Sequence, residues 1–335
     1  MRYYYFGLIV IICLFFVPIA TSNAQLVTGS QDGINIDLIP ENPRANQKVI
    51  ANIKSYAVDL NSSSITWILN GKIEKTAVGD TSFTFITGNT GIISKLEVLV
   101  RTSDGESLTK AININPASVD LIWQNESLVP PFYKGKALFS HENKITFVAI
   151  PHIAINGEEV NAGNLVYTWS KDGRVIEGAS GYGKSTYTFV GSLISRPFKI
   201  EVTVYSANSD ATAYSSVFVS PVEPEIIFYK KNPIYGIELQ RAVSASEEMT
   251  TPEMTILAVP LFFGARGYND SSLNYRWTIN GKKTDDSNTQ NVQIFRTLEG
   301  SSGYSKINLT IENTNKILQL AKTGFILSFG NNNTQ

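Results

Sequence analysis

The sequence predicts an all-β fold: three tandem antiparallel β-sandwich domains that follow a signal peptide. Three observations carry this expectation. A strand ending in a tryptophan and a tight turn occurs three times, as Ser63–Gly71, Leu165–Gly173 and Leu273–Gly281. The tryptophans, Trp67, Trp169 and Trp277, stand 102 and 108 residues apart, a period of repeated domains rather than of solenoid turns. Between them apolar residues alternate with polar ones, as in strands buried on one face, and no stretch beyond the signal has the 3.6-residue period of a helix.

The N-terminus comes first. Arg2, three tyrosines, an apolar run from Phe6 to Phe16 and then Thr21-Ser22-Asn23-Ala24 form the layout of a secretory signal peptide. The competing reading, a retained membrane anchor, asks for ~20 apolar residues, more than this core supplies. Residues 1–24 are therefore assigned to the signal, and 25–117, 118–222 and 223–335 to the three sandwiches, in a chain exported to the periplasm, the cell surface or the medium. The single cysteine, Cys13, lies inside the signal behind Ile11-Ile12, where a lipobox would carry small residues. Without disulfides each domain must hold itself together by burying apolar surface, which domains of about 100 residues can do. The formal charge of −1 singles out neither nucleic acid nor acidic lipid as a partner. Membrane contact is expected only through residues 1–24, if they are kept. Asn-x-Ser/Thr occurs at Asn61, Asn125, Asn269, Asn308 and Asn332, matches that an Asn- and Ser-rich chain also produces by chance.

Each unit opens on a strand, Ile34–Ile39, Val119–Gln124 or Glu225–Lys230. A second strand points Val49, Ala51 and Ile53 inward, matched by Ile145, Phe147 and Ala149 and by Met254, Ile256 and Ala258. The tryptophan strand follows. Its turn glycines Gly71, Gly173 and Gly281 come after Asn or Asp, the pair that supplies two positive-φ positions of a hairpin. Short pieces with Phe83 and Phe85, Tyr187 and Phe189, or Val292 and Ile294 lead to strands marked by Leu96, Val98 and Val100, by Ile200, Val202 and Val204, and by Ile307, Leu309 and Ile311. Closing strands are expected at Ala111–Asn115, Val217–Ser220 and Phe325–Phe329. Pro116 and Pro221 stop the first two ladders, and such short, stiff junctions predict a rod of beads with limited bending. Trp67, Trp169 and Trp277 are each expected to fill a sandwich core.

The run Tyr167-Thr-Trp169-Ser-Lys-Asp-Gly173, then Gly178-Ala179 and Tyr187-Thr-Phe189, resembles the Tyr-x-Trp-x-x-Asp-Gly, Gly-Ala, Tyr-x-Phe progression of bacterial immunoglobulin-like and PKD-like repeats. It lacks the Trp-x-Phe-Gly-Asp-Gly run of PKD domains and the cysteine pair of antibody-type domains, so the two superfamilies stay open. The resemblance implies a spacer, adhesion or assembly module outside the membrane, partnered by an extracellular or envelope protein or polysaccharide.

Residues with chemical potential are few. Gly178–Ser185 satisfies the Gly-x-x-x-x-Gly-Lys-Ser phosphate loop, but the residues after Lys184 alternate as a strand where that motif needs a helix, so no nucleotide is expected. His141 and His152 flank a predicted strand and read as surface or edge histidines, too few for a metal site. The neighbouring carboxylates Glu247-Glu248 and Asp285-Asp286 read as solvated loop charge. Leu320-Ala-Lys-Thr-Gly324 is sortase-like but lacks the spanning stretch and basic tail, and belongs to the last strand. No catalytic group, cofactor or metal is expected, although calcium at a junction is left open. Trp123, Phe132, Tyr133, Phe228, Tyr229 and Tyr235 lie near the junctions. They are expected to pack domain against domain, or alternatively to offer an aromatic platform to a carbohydrate or peptide.

Overall fold

The computed structural model describes residues 33–208, 211–284 and 291–330. Residues 1–24 with Cys13, Asp285-Asp286 and Asn332 lie outside the described residues. Contacts divide the chain into two compact units. Among the described residues, one holds those from 33 to Asp37 with Asn52–Phe83 and Glu97–Ile112; the other holds Leu38–Ala51, Thr84–Leu96 and those from Asn113 on. The division runs through the first sandwich, and the second unit contains the second and third sandwiches whole.

The chain is a tandem of immunoglobulin-like antiparallel β-sandwiches. In the first, β1 (Ile34–Ile39), β2 (Lys48–Ser55) and β5 (Ser82–Ile86) form one sheet in the order β1-β2-β5. β3 (Ser64–Leu69), β4 (Lys72–Val78), β6 (Ser94–Arg101) and β7 (Ser107–Ile114) form the other, β4-β3-β6-β7. The second sandwich repeats the plan. Its strands β8 (Ser118–Asn125), β9 (Lys144–His152) and β15 (Thr186–Val190) are ordered β15-β9-β8. β12 (Val166–Lys171), β13 (Arg174–Val175), β16 (Phe198–Tyr205) and β17 (Thr212–Val219) are ordered β13-β12-β16-β17, with β14 (Gly181–Tyr182) added to β12. A small hairpin joins β10 (Ala154–Ile155) to β11 (Glu158–Glu159). In both sandwiches the strand after the tryptophan turn stays in the tryptophan sheet, instead of crossing to the opposite one as in constant-type immunoglobulin domains.

The third sandwich is larger. β18 (Glu225–Asn232), β19 (Gly236–Ala242), β21 (Glu253–Leu261) and β24 (Val292–Arg296) form the sheet β19-β18-β21-β24. β20 (Ser246–Met249), β22 (Leu273–Ile279), β23 (Lys282–Lys283), β25 (Gly303–Asn313) and β26 (Leu320–Phe329) form β20-β26-β25-β22-β23, in which β20 runs parallel to β26. All three copies share one crossing contact. The chain after the opening strand accepts a backbone N–H from the closing region: Ala117 to Pro43 (3.3 Å), Val222 to Phe139 (2.8 Å) and Ile326 to Ala245 (2.9 Å). Only the third copy extends it into a strand.

Trp67 and Trp169 are wholly buried and Trp277 nearly so. The indole N–H of Trp67 donates to Asp80 O (3.2 Å) and that of Trp169 to Lys184 O (2.9 Å), as a buried indole requires. Around Trp169 the core collects Phe139, Ile145, Phe147, Tyr167, Ile200 and Val202; around Trp277 it collects Phe228, Ile256, Phe263, Ile307, Leu309 and Phe325. The turns have φ of +51° and +79° at Asn70-Gly71, +50° and +76° at Asp172-Gly173, and +51° and +82° at Asn280-Gly281. Both central residues are left-handed, the twist that suits a two-residue hairpin. Nothing lies within 4 Å of a Cβ built on Gly173. Gly173→Ala is therefore expected to cost only the left-handed conformation, about 1–2 kcal/mol by urea denaturation, and no repacking.

Two expectations change. The closing strands begin earlier than alternation indicated, at Ser107, Thr212 and Leu320, because their inward positions include Ala213 and Ala321, whose small side chains carry little signal. Leu320–Gly324 lies within β26. Glu247 is not solvated loop charge: β20 turns it inward, where it is buried and pairs with Lys230 at 2.5 Å, while Glu248 faces out.

Candidate functional site: the clasp between the second and third sandwiches

Four segments meet inside the second unit: the residues after β8, the residues before β9, the turn after β21, and the β25–β26 loop. The backbone joins first. Leu128 N–H donates to Phe263 O and Phe262 N–H to Leu128 O, both at 2.8 Å, a two-bond exchange like one rung of a sheet. Phe262 takes a φ of +63° to make it, and a bulky residue is held in that region only by its surroundings.

Side chains complete the contact. Gln319 is wholly buried; its Nε2 donates to His141 O (2.6 Å) and Asn143 Oδ1 (2.8 Å), and its Oε1 accepts from Gly264 N–H (2.8 Å) and Asn313 Nδ2 (3.2 Å). Asn143, also wholly buried, donates through Nδ2 to Ser140 Oγ (2.7 Å), and Ser140 Oγ–H donates to Phe262 O (2.6 Å). Lys316 Nζ reaches in to donate to Asn143 Oδ1 at 2.9 Å. A Cβ on Gly264 would lie 2.0 Å from both Asn143 Oδ1 and Lys316 Nζ, so only glycine leaves room for the pair. A connected, satisfied polar network of this kind fixes one arrangement, because any other leaves buried donors and acceptors unpaired.

Beside the clasp opens a cleft of ≈ 970 Å³ whose charged lining is Glu126, Glu142, Lys144, Arg266, Asp270 and Lys316. Lys144 pairs with Glu126 at 2.8 Å. Burial pushes the Lys316 ammonium below its ordinary pKa. Glu142 Oε2 is buried with no hydrogen-bond partner. Asp270 accepts the backbone N–H of Arg266 (2.8 Å) and Ser272 (3.0 Å), then the Ser272 hydroxyl, and these bonds hold its carboxyl below the usual range. A carboxyl lowered on folding stabilises fully above its unfolded pKa, about 4, and loses that contribution as pH falls through the folded value. Asp270→Asn should accordingly flatten the acid limb of stability below about pH 4, read from urea midpoints at stepped pH; an unchanged limb would remove Asp270 from the acid response.

The structure separates the aromatics that the sequence grouped. Phe228 is core, 5.6 Å from Trp277 and 5.1 Å from Phe325 in ring-centroid distance. Trp123 packs on the edge of the second core under Lys136, whose Nζ sits 3.3 Å from the ring centroid. Tyr229 is half-buried within β18, whereas Tyr235 is 84% exposed in the turn after it. Phe132 is 93% exposed, and Tyr133 alone among the six reaches across the junction, to Phe262 at 6.5 Å. Besides Leu128, which packs against the third core, the contact between these sandwiches uses backbone and amide groups, because those at the loop ends must be satisfied once covered.

His141 is not a surface residue: it is buried, accepts Ser195 N–H at Nδ1 (3.1 Å) and meets Glu223 through Nε2 (3.2 Å). His152 pairs with Asp120 at 3.1 Å on the surface. Lys184 bends back to Gly178 O at 2.9 Å, and β15 begins at Thr186, the strand expected there. Among the described residues no three His, Cys, Asp or Glu side chains gather as metal ligands. Sequence reasoning missed Ser140, Asn143, Gly264 and Gln319. The brevity of the Pro221–Pro224 connection, which forces loop ends together, was the signal available.

No protein-family model matches the chain, and no curated protein matches it by sequence. Solved structures do. The chain is similar to the fibronectin(III)-like modules of Clostridium thermocellum CbhA, with 13% identity, 56% of this chain and 93% of that one covered, and a TM-score of 0.27. It is similar to three N-terminal domains of the bacteriophage RB49 highly immunogenic outer capsid protein at 10% identity, covering 89% and 98%, with a TM-score of 0.26. The central fibronectin-III array of RIM-binding protein aligns at 12% identity over 90% and 99%, with a TM-score of 0.30. The sandwich assignment rests on the strand order, register and burial given above.

Proposed function

We propose that this chain is an exported, non-enzymatic spacer, adhesion or assembly module of immunoglobulin-like or PKD-like sandwiches, meeting an extracellular or envelope protein or polysaccharide. One observation carries the reading. The second and third sandwiches are joined by a buried, reciprocally hydrogen-bonded clasp centred on Gln319 and Asn143, which holds two modules as one body. That is the property a spacer needs and a flexible string of binding domains does not. The conspicuous side chains serve architecture too: the tryptophans fill cores, the turn glycines close hairpins, and Lys184 and His141 bond to their own surroundings.

A second reading, a carbohydrate- or peptide-binding module, draws on the exposed Phe132 beside Tyr133. Small-angle scattering of residues 25–335, with and without fractionated cell-envelope polysaccharide and protein, separates the two. The spacer reading expects a profile that a polysaccharide fraction either leaves unchanged or alters alike in the parent and in Phe132→Ser. A saturable change with a polysaccharide fraction, abolished by Phe132→Ser, would replace it with the binding module.

A further inference from the structure

The centre of the clasp holds the components of an acyl-transfer reaction. Asn143 is an amide shielded from water whose carbonyl oxygen accepts two N–H groups, from Lys316 at 2.9 Å and Gln319 at 2.8 Å. Two donors on one carbonyl draw electron density from its carbon, and Gln319 is fixed by its other bonds, so it can hold an oxyanion without reorganising. The amide nitrogen is held by Ser140 Oγ (2.7 Å) and Phe262 O (3.3 Å). Among the described residues no carboxylate is in ion-pair contact with Lys316 Nζ, and its partial burial favours the neutral, nucleophilic amine. Glu142 contributes a buried carboxylate oxygen with no partner to the same cleft. Gly264 leaves the space in which amine and amide meet.

We propose that Lys316 and Asn143 form an intramolecular isopeptide bond, which ties the third sandwich to the second covalently. The Lys316 ammonium gives one proton, through a water in the cleft that both side chains line, to the Glu142 carboxylate. The amine lone pair then forms the Nζ–Cγ bond, swinging from the oxygen of the amide to its carbon, while Gln319 Nε2–H steadies the oxyanion. As the carbonyl re-forms, the Cγ–Nδ2 bond breaks, Nδ2 takes the second proton from Nζ and leaves as ammonia, and Glu142 returns its proton to that ammonia as ammonium. One amide is exchanged for another and nothing is oxidised or reduced. Holding the two groups in contact supplies the effective concentration that such an exchange needs.

Tryptic digestion of the full chain, purified after prolonged storage at neutral pH, tests this directly. The expected product is Ala137–Lys144 joined to Ile307–Lys322, uncut at Lys316 and lighter than the two peptides together by one ammonia. Lys316→Arg, which keeps a cationic donor to Asn143 but is too weak a nucleophile, should give only separate peptides while melting cooperatively. Glu142→Gln should fold alike and lower the joined fraction at least tenfold. Free Ala137–Lys144 and free Ile307–Lys316 from the parent in full yield would overturn the bond. An undiminished joined fraction in Glu142→Gln would overturn the proton route. The inference is independent of the spacer reading, since joined peptides would stand even if scattering revealed a binding module.

Discussion

Trp169→Ala is expected to destabilise the second sandwich by about 3–5 kcal/mol, enough to leave a marginal domain largely unfolded. The ring is wholly buried, lies 6.1 Å from Tyr187, and donates to Lys184 O at 2.9 Å. Its loss opens a cavity between the sheets and leaves that carbonyl without its donor. Trp123→Ala is the control: this ring packs only on the edge of the core and is covered by Lys136. It should cost clearly less. Thermal melts followed by tryptophan fluorescence and far-ultraviolet circular dichroism compare the two. Equal stabilities for the parent and Trp169→Ala would mean that the centre of this core had been misplaced.

Gln319→Leu is expected to uncouple the third sandwich from the second. The variant keeps volume but leaves Gly264 N–H and His141 O without the amide that served them, while Asn143 Oδ1 keeps Lys316 Nζ. Unpaired buried groups cost about 1–3 kcal/mol each, partly relieved if water enters the opened seam. In calorimetry the parent should show these two sandwiches unfolding together, and the variant should split the transition, with each core intact. A single unshifted transition would show that the clasp does not couple them. If the isopeptide has formed, the split should be clearest in Lys316→Arg/Gln319→Leu, where no covalent tie remains.

The repeat made most of the fold legible before any coordinates. Trp67, Trp169 and Trp277 stand in strands whose alternating residues face one way, and the Asn-Gly or Asp-Gly turns allow only a tight hairpin, so local chemistry dictated local structure. The buried rows Val49, Ala51, Ile53 and Ile145, Phe147, Ala149 were readable for the same reason. Harder to read were elements whose partners are distant. Nothing in Ser246–Met249 announces a parallel pairing with Ile326–Phe329, since β20 gains its place from the uncovered edge of β26. Glu247 is buried because Lys230, seventeen residues earlier, waits on the neighbouring sheet.

What the sequence by itself determined was the unit: its strands, its turns, its tryptophan core and its threefold repetition, all properties of neighbours in the chain or of residues at a fixed period. What only the tertiary structure decided was how one unit is fastened to the next. Asn143, Gly264, Lys316 and Gln319 are ordinary polar and small residues in three unrelated loops, separated by up to 176 positions. They become a site only where two folded sandwiches bring their loop ends together. There the exclusion of water makes each hydrogen bond obligatory and each unpaired atom costly.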